Sequence, residues 1–314
     1  MVTDYTALGN RASIIERVRS RAPGYWRYVC EQPSWIFMFL FARTLVARRI
    51  ERWLNRAAYR APAPANGSIL DGVDLPSVVA DLIRDGVHLG LTLPPHLVRE
   101  IRAFADTTPC FSRDNQTTGF LHDAVAEVNR LRVRDVVAAY YFESVERSPA
   151  IVGLAADQGI RSVAAAYLGH DPVLIRIRLW WSFPAERVSD ADLHAAAQDK
   201  YHFDLNAWRS LKFFFYLTAT NEEGGPHRCI MGSHRRRSLR HQLTLTVGRD
   251  EEELRAFYDA DRLLTVTGEE GAGFTEDPFV FHTGSLCRKQ PRLILELEYG
   301  HTSVTPSYRY GRLG

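Results

Sequence analysis

His202 and Asp204 stand two residues apart, His282 lies eighty residues further on, and Arg292 follows ten residues after it. In an extended segment residues i and i+2 point to the same side, so His202 and Asp204 can present an imidazole and a carboxylate to one metal ion. A second imidazole from a distant strand, His282, completes a face of three ligands. Such a 2-His-1-carboxylate set leaves the opposite coordination positions open, which suits Fe(II) that must bind a co-substrate and dioxygen together. The His-x-Asp pair alone says little: with 11 His and 37 acidic residues in 314, roughly one such pair is expected by chance. The weight falls on the ordered set, each member placed against a predicted strand. Arg292 opens the strand that follows His282 across a loop containing Gly284 and Pro291, so the two can face one cavity from adjacent strands. A guanidinium holds a carboxylate through two parallel hydrogen bonds and cannot lose its charge. The competing reading of Arg292 is an internal ion pair with Glu296, which shares its predicted face.

The elements that must position these residues fall into two halves. Helices are predicted near Val78 to Asp85, from about Pro95, over 121–147 and over 158–168, with a short strand around Val87 to Leu91. From Val173 the periodicity changes to two. Ile175, Ile177, Leu179 and Trp181 alternate with Arg176, Arg178 and Trp180. Leu211 to Thr218 and Arg292 to Tyr299 also read as strands; in the second, Leu293, Leu295 and Leu297 share one face while Arg292, Ile294, Glu296 and Glu298 share the other. Helices first and strands later, without regular βαβ alternation, predict an α+β domain whose sheet or barrel is covered by the earlier helices. No GxGxxG or GxxxxGKS loop supports a nucleotide-binding reading.

Length and composition are those of an ordinary folded chain: 314 residues, 46% hydrophobic, 24% charged, net charge +2. That total predicts no nucleic-acid partner, and no obligate protein partner is evident. It hides an asymmetry. Residues 1–60 carry eleven Arg and no Lys against Asp4, Glu16, Glu31 and Glu51, a net of +7, which leaves −5 for the remainder. The prolines of Ala61-Pro-Ala-Pro-Ala-Asn-Gly67 mark a linker, so the expected organisation is a basic helical segment over 1–60, a linker over 61–69 and a main domain over 70–314. In the first segment Ile14, Ile15 and Val18 mark one helical stretch, and Phe39, Val46, Ile50, Trp53 and Leu54 another, interleaved with Arg43, Arg48, Arg49, Arg52 and Arg56. Two readings stand: a helix packed on the main domain with a solvated Arg face, or a helix lying in an anionic lipid interface. Four scattered cysteines and no recognisable secretion signal lead to the expectation of a cytoplasmic protein, peripheral at the membrane's inner face under the second reading.

At the level of motifs the chain resembles the phytanoyl-CoA dioxygenase-like branch of the Fe(II)- and 2-oxoglutarate-dependent oxygenases. The resemblance runs from about Val78 to Tyr299. It rests on Ala80-Asp-Leu-Ile-Arg-Asp-Gly-Val87, the helix after Leu93-Pro-Pro95, the helix ending Ala166-Tyr-Leu-Gly169, and most specifically on His202-Phe-Asp204, Asn221-Glu-Glu-Gly-Gly-Pro-His227, Gly232-Ser-His234 and Phe281-His282 with Arg292. The resemblance implies a double-stranded β-helix, a cupin-like jelly-roll barrel with helices packed on one side. It implies that His202, Asp204 and His282 hold iron and that Arg292 pairs with the distal carboxylate of 2-oxoglutarate, which dioxygen converts to succinate and carbon dioxide as a carbon of a small-molecule substrate, lipid or natural product, is oxidised. Relatives that halogenate lack the carboxylate, so Asp204 points to hydroxylation or a related oxidation.

Two positions depart from the family pattern. Cys229-Ile-Met231 stands where a proline usually precedes Gly-Ser-His, so this loop is expected to take a different shape. Ile294 stands two residues after the arginine, where many members of the superfamily have Ser or Thr; another donor must then assist Arg292, and Lys212 and Tyr216 are the candidates. His234, in the family's loop near the cavity mouth, and Arg235 are candidate substrate contacts. The run Arg235-Arg-Arg237 with Arg240 and His241 reads either as solvated surface or as an anion site. Trp180, Trp181, Trp208 and Phe214 read as core before pocket. Two other functions compete with the oxygenase: a membrane-surface binding protein with a non-catalytic barrel, and a zinc-dependent hydrolase using the same three ligands.

Overall fold

The computed structural model describes residues 26, 29–30, 32–56, 68, 73–243 and 248–301. The calls on Ile14, Ile15 and Val18 and on most of the 61–69 linker lie outside the described residues. Among the described residues there are ten strands: β1 (Val87–Thr92), β2 (Phe111–Ser112), β3 (Ala138–Tyr140), β4 (Val173–Ser182), β5 (Ser210–Tyr216), β6 (His227–Ile230), β7 (Leu263–Val266), β8 (Ala272–Glu276), β9 (Phe281–Gly284) and β10 (Arg292–Gly300). Seven of them form one antiparallel sheet in the order β1-β8-β5-β10-β4-β3-β2, and β7-β6-β9 form a second. Together they make the expected double-stranded β-helix, with helices packed on one side.

Side-chain alternation separates an outer, dry layer from an inner, charged one. Leu293, Leu295 and Leu297 of β10 join Ile177 and Leu179 of β4 and Phe213 of β5 in a single apolar cluster. Against it pack Val78 and Leu82 of the helix Leu75–Arg84, Ile101 of Pro95–Thr107, Ile151 of Pro149–Ala155 and Val163 of Gln158–Leu168. Each such side chain contributes about 1.5–3 kcal/mol when fully buried. A one-residue slip of β10 would push Glu296 and Glu298 into this layer, so burial fixes the register. The helix Gln158–Leu168 is bounded as its sequence requires: the Asp157 carboxylate accepts from the backbone N–H of Ile160 at its start, and Gly169, at φ +82°, ends it in the left-handed conformation.

One expected helix is corrected. The stretch 121–147 holds a 3-10 turn at His122–Ala124, a helix at Val125–Arg130, the strand β3 and a second 3-10 stretch at Phe142–Arg147. Within it, Val136 and Val137 lead into Ala138, Ala139 and Tyr140, all buried. β-branched and aromatic side chains at that density favour a sheet, and β3 pairs with β4 through Ala138↔Ser182 and Ala139↔Trp181.

The two N-terminal helices, Trp35–Phe41 and Leu45–Arg56, begin just after Pro33 as the proline implies. The second is bound to the barrel by its polar side. Arg48 donates to both Asp277 carboxylate oxygens at 3.3 Å and to the Trp208 carbonyl at 3.1 Å. Asp277 is buried and also accepts from the Tyr167 hydroxyl at 2.6 Å. Burial pushes its carboxyl up, yet Arg48, His234 and the hydrogen bonds from Tyr167 and the Phe279 N–H together bring it down to about 2. Removing one partner of a buried pair strands the other charge, so Arg48→Ala is expected to lower unfolding free energy by about 3 kcal/mol in a urea titration. Arg48→Ala with Asp277→Asn should recover part of that loss; a single variant as stable as the parent would show that the pair does not anchor the helix.

Candidate metal centre and its flanking arginine

His202 lies just before β5 and His282 within β9, and their backbones exchange hydrogen bonds of 2.9 and 2.8 Å. This bridge brings residues eighty apart in sequence side by side, with imidazole centroids 4.5 Å apart. Asp204 is held by its N–H to the Pro278 carbonyl at 2.8 Å. Donor atoms of His202, Asp204 and His282 all lie within 4.8 Å of one another. Bonds from N and O donors to a first-row divalent metal run about 2.0–2.2 Å, so three donors this close can converge on one ion.

Both imidazoles are oriented in the same way. His202 Nδ1 faces the Lys200 carbonyl at 3.2 Å, and His282 Nδ1 faces the Val280 carbonyl at 2.9 Å. A carbonyl only accepts, so each Nδ1 carries the proton and each Nε2 keeps its lone pair for a metal. Burial pushes both histidines down, His282 to about 4, which keeps the rings neutral at neutral pH. Burial would raise the Asp204 carboxyl, but the neighbouring groups together, the Lys212 ammonium foremost, hold it well below the usual range.

The opposite side of the ligand-bearing segments is equally ordered. Phe203, between the two ligands, and Phe281, beside the third, turn away from the donors and pack with Phe279 around the Arg237 guanidinium, which lies 4.0–4.2 Å from all three ring centroids. Arg237 also donates to the Phe279 carbonyl. Of the arginine run, then, Arg237 is buried structure, while Arg236 and Arg240 are largely exposed.

Arg292 is buried at the start of β10 and does not pair with Glu296. Glu296 is taken by Arg178, with Lys212 at 3.7 Å and Arg176 at 3.9 Å. Arg292 Nη2 donates to the Ser182 hydroxyl at 3.1 Å, its Nε has no hydrogen-bond partner, and among the described residues no carboxylate forms an ion pair with it. Ser182 stands directly opposite Arg292 in the β4–β10 register, and Gln198 Nε2 reaches the same hydroxyl at 3.4 Å while its Oε1 is buried without a partner. A hydroxyl thus sits beside Arg292 despite Ile294, supplied by the neighbouring strand.

The other expected site residues are distributed as follows. Lys212 is ion-paired with Asp204 and, in the β5–β10 register, stands opposite Glu298, at the far end of the strand pair from Arg292. Tyr216 lies opposite Ile294, near Arg292, but its hydroxyl donates to the Val266 carbonyl at 2.8 Å and accepts from the His227 N–H at 3.0 Å. His234 is buried against Gly86 and Val280; an ideal Cβ on Gly86, at φ +79°, would lie 2.6 Å from its Nδ1. Arg235 donates to the Ile83 carbonyl at 3.1 Å. Among the described residues, neither makes a hydrogen bond to His202, Asp204 or His282. Trp181 is core and Trp180 partly buried; Phe214 lines the inner face against His227 and Phe274.

Sequence reasoning missed His227 and Glu276. Fully buried Glu276 stands between two histidines, with His227 Nε2 at 3.0 Å and His282 Nδ1 at 3.4 Å. Burial pushes its carboxyl up to about 7 and the His227 imidazole down to about 3. Its place on the inner-facing alternation of β8 was the available signal.

No protein-family model matches the chain, and no curated protein matches it. Solved structures share its fold. EctD from S. alaskensis with bound Fe is similar at a TM-score of 0.50 and 18% identity, over 81% of this chain and 92% of that one. The apoform of the same protein gives 0.50 and 17%, over 81% and 90%. The non-heme alpha ketoglutarate dependent epimerase SnoN from nogalamycin biosynthesis gives 0.49 and 16%, over 75% and 85%. At these identities the likeness is one of fold.

Proposed function

We propose that the chain is an Fe(II)- and 2-oxoglutarate-dependent dioxygenase that oxidises an unactivated carbon of a small-molecule substrate. The observation that carries this reading is the pairing of three convergent donors with a buried arginine that, among the described residues, has no carboxylate of its own. The donor set fits iron: two neutral imidazoles with Nε2 free and one ionised carboxylate make a facial set for a metal that needs open positions. The fold it shares with EctD, which has been solved with bound Fe, agrees. His202, Asp204 and His282 would hold the ion.

Arg292 would hold the co-substrate. A buried guanidinium with an unpartnered Nε is incomplete without an anion, and a carboxylate matches its fork. Ser182 and Gln198 stand ready to position the same group, which fills the place of the missing Ser or Thr after the arginine. When bound, iron and 2-oxoglutarate would supply the oxidising chemistry with dioxygen; the chain supplies orientation and charge pairing. Lys212 and the Glu296 cluster fix Asp204 from its other side.

Purified protein given Fe(II), 2-oxoglutarate and dioxygen should release succinate, slowly even without substrate, and release none under anaerobic conditions. A metallated protein that neither binds 2-oxoglutarate nor forms succinate would overturn the reading, and oxygen-independent hydrolysis with zinc would put the hydrolase in its place.

A further inference from the structure

The helix Leu45–Arg56 is inside out. A surface helix of a folded domain turns its apolar stripe inward, but here Arg48 and Glu51 face the barrel, Arg48 toward Asp277 and Glu51 3.9 Å from Arg209. Of its apolar side chains only Leu45 packs on the core. Val46, Ile50, Trp53 and Leu54 are exposed, Trp53 by 73%. With 3.6 residues per turn these four fall within an arc of about 100°, roughly opposite Arg48. The preceding helix adds exposed Phe37, Leu40 and Phe41 while burying Met38. From these helices we infer a docking surface for an anionic lipid bilayer.

Charge selects this occupant. Arg49 is exposed beside the apolar arc, whereas Glu51, the only acidic residue of the two helices, turns toward Arg209. The outward surface is therefore apolar and cationic without an acidic side chain, and it belongs to a sixty-residue segment of net charge +7 on a chain whose remainder is −5. An aromatic side chain such as Trp53 settles at the headgroup level, where Arg stems extend to the phosphates. The helices are too short to cross: among the described residues no helix is long and apolar enough to span a membrane. The arrangement fits a helix lying in the interface plane, held to the barrel by Arg48 on one side and to lipid on the other. This is independent of the oxygenase reading.

Flotation of the full chain with vesicles tests it. Vesicles containing phosphatidylserine should carry the protein up the gradient, phosphatidylcholine alone should carry much less, and the bound fraction should fall with salt. Ile50→Glu with Trp53→Glu, both at exposed positions, should lower partition by roughly tenfold or more while the urea midpoint stays within error. Arg49→Glu should weaken binding only to the anionic vesicles. No flotation, or flotation unchanged in the double variant, overturns the proposal. So does a dimer by sedimentation that the double variant converts to monomer without any vesicle binding, which assigns the face to a second copy.

Discussion

Replacing Arg292 with alanine is expected to weaken 2-oxoglutarate binding by roughly 30- to 4,000-fold while leaving the metal-free protein at least as resistant to urea. The two halves of this result come from one cause. A buried ion pair between guanidinium and ligand carboxylate, truncated on one side, costs about 2–5 kcal/mol of binding, because the carboxylate is left desolvated and unpaired. In the ligand-free protein the cost lies with the arginine itself, which is 3% exposed and has one hydrogen bond, to Ser182. Removing an uncompensated buried charge relieves that cost. Arg48→Ala should show the opposite signature, lower stability, since it removes a charge that has its partner. Titration of 2-oxoglutarate by calorimetry and a urea midpoint suffice. Unchanged affinity would remove Arg292 from the co-substrate site, and marked destabilisation would reveal an internal anionic partner. Arg292→Lys should fall between, keeping the charge and losing the fork.

His202→Ala should lower Fe(II) affinity by at least about 100-fold. Changing a residue that merely orients a metal ligand costs about 10- to 100-fold, and His202 would supply a ligand atom itself. Anaerobic calorimetry with Fe(II), or thermal upshift on adding Fe(II), reads the effect without turnover. The half-buried position of His202 makes the variant easy to fold. The backbone bridge to His282 survives the substitution, so Asp204 and His282 stay in place as a two-ligand remnant. Affinity within threefold of the parent would strike His202 from the ligand set.

These residues were legible in the sequence for a definite reason. Strand geometry places i and i+2 on one side, and β10 shows its two faces in plain alternation, leucines outward and charges inward. The helices Leu75–Arg84, Pro95–Thr107 and Gln158–Leu168 were marked by proline, cap residues and apolar spacing. What stayed hidden depends on contacts between distant segments. The hydroxyl beside Arg292 comes from Ser182, 110 residues away, and only the strand pairing shows it. The strand β3 hides in a stretch with helical flanks, and its pairing with β4 decides its state. Lys212 reads in sequence as a candidate helper for Arg292, and only the fold pairs it with Asp204. For the N-terminal helix the sequence left two readings, packed on the domain with a solvated Arg face or lying in a lipid interface, and the buried Asp277 that draws Arg48 inward shows only in the fold.

The Arg237 cage has a consequence for how the His-x-Asp motif is transplanted or redesigned. The central letter of such a motif is ordinarily treated as free, since it points away from the ion. In this chain it is coupled: Phe203 shares a cation with Phe279 and Phe281, so a residue 33 positions downstream of Asp204 packs against the back of the segments that carry the three donors. Burial lowers the Arg237 guanidinium to about 9, and three aromatic faces surround the charge that water no longer reaches. Grafting only the three donors onto another barrel would copy the front of the site and omit its backing. The transferable unit is seven residues deep: two histidines, an aspartate, three phenylalanines and the arginine that they enclose.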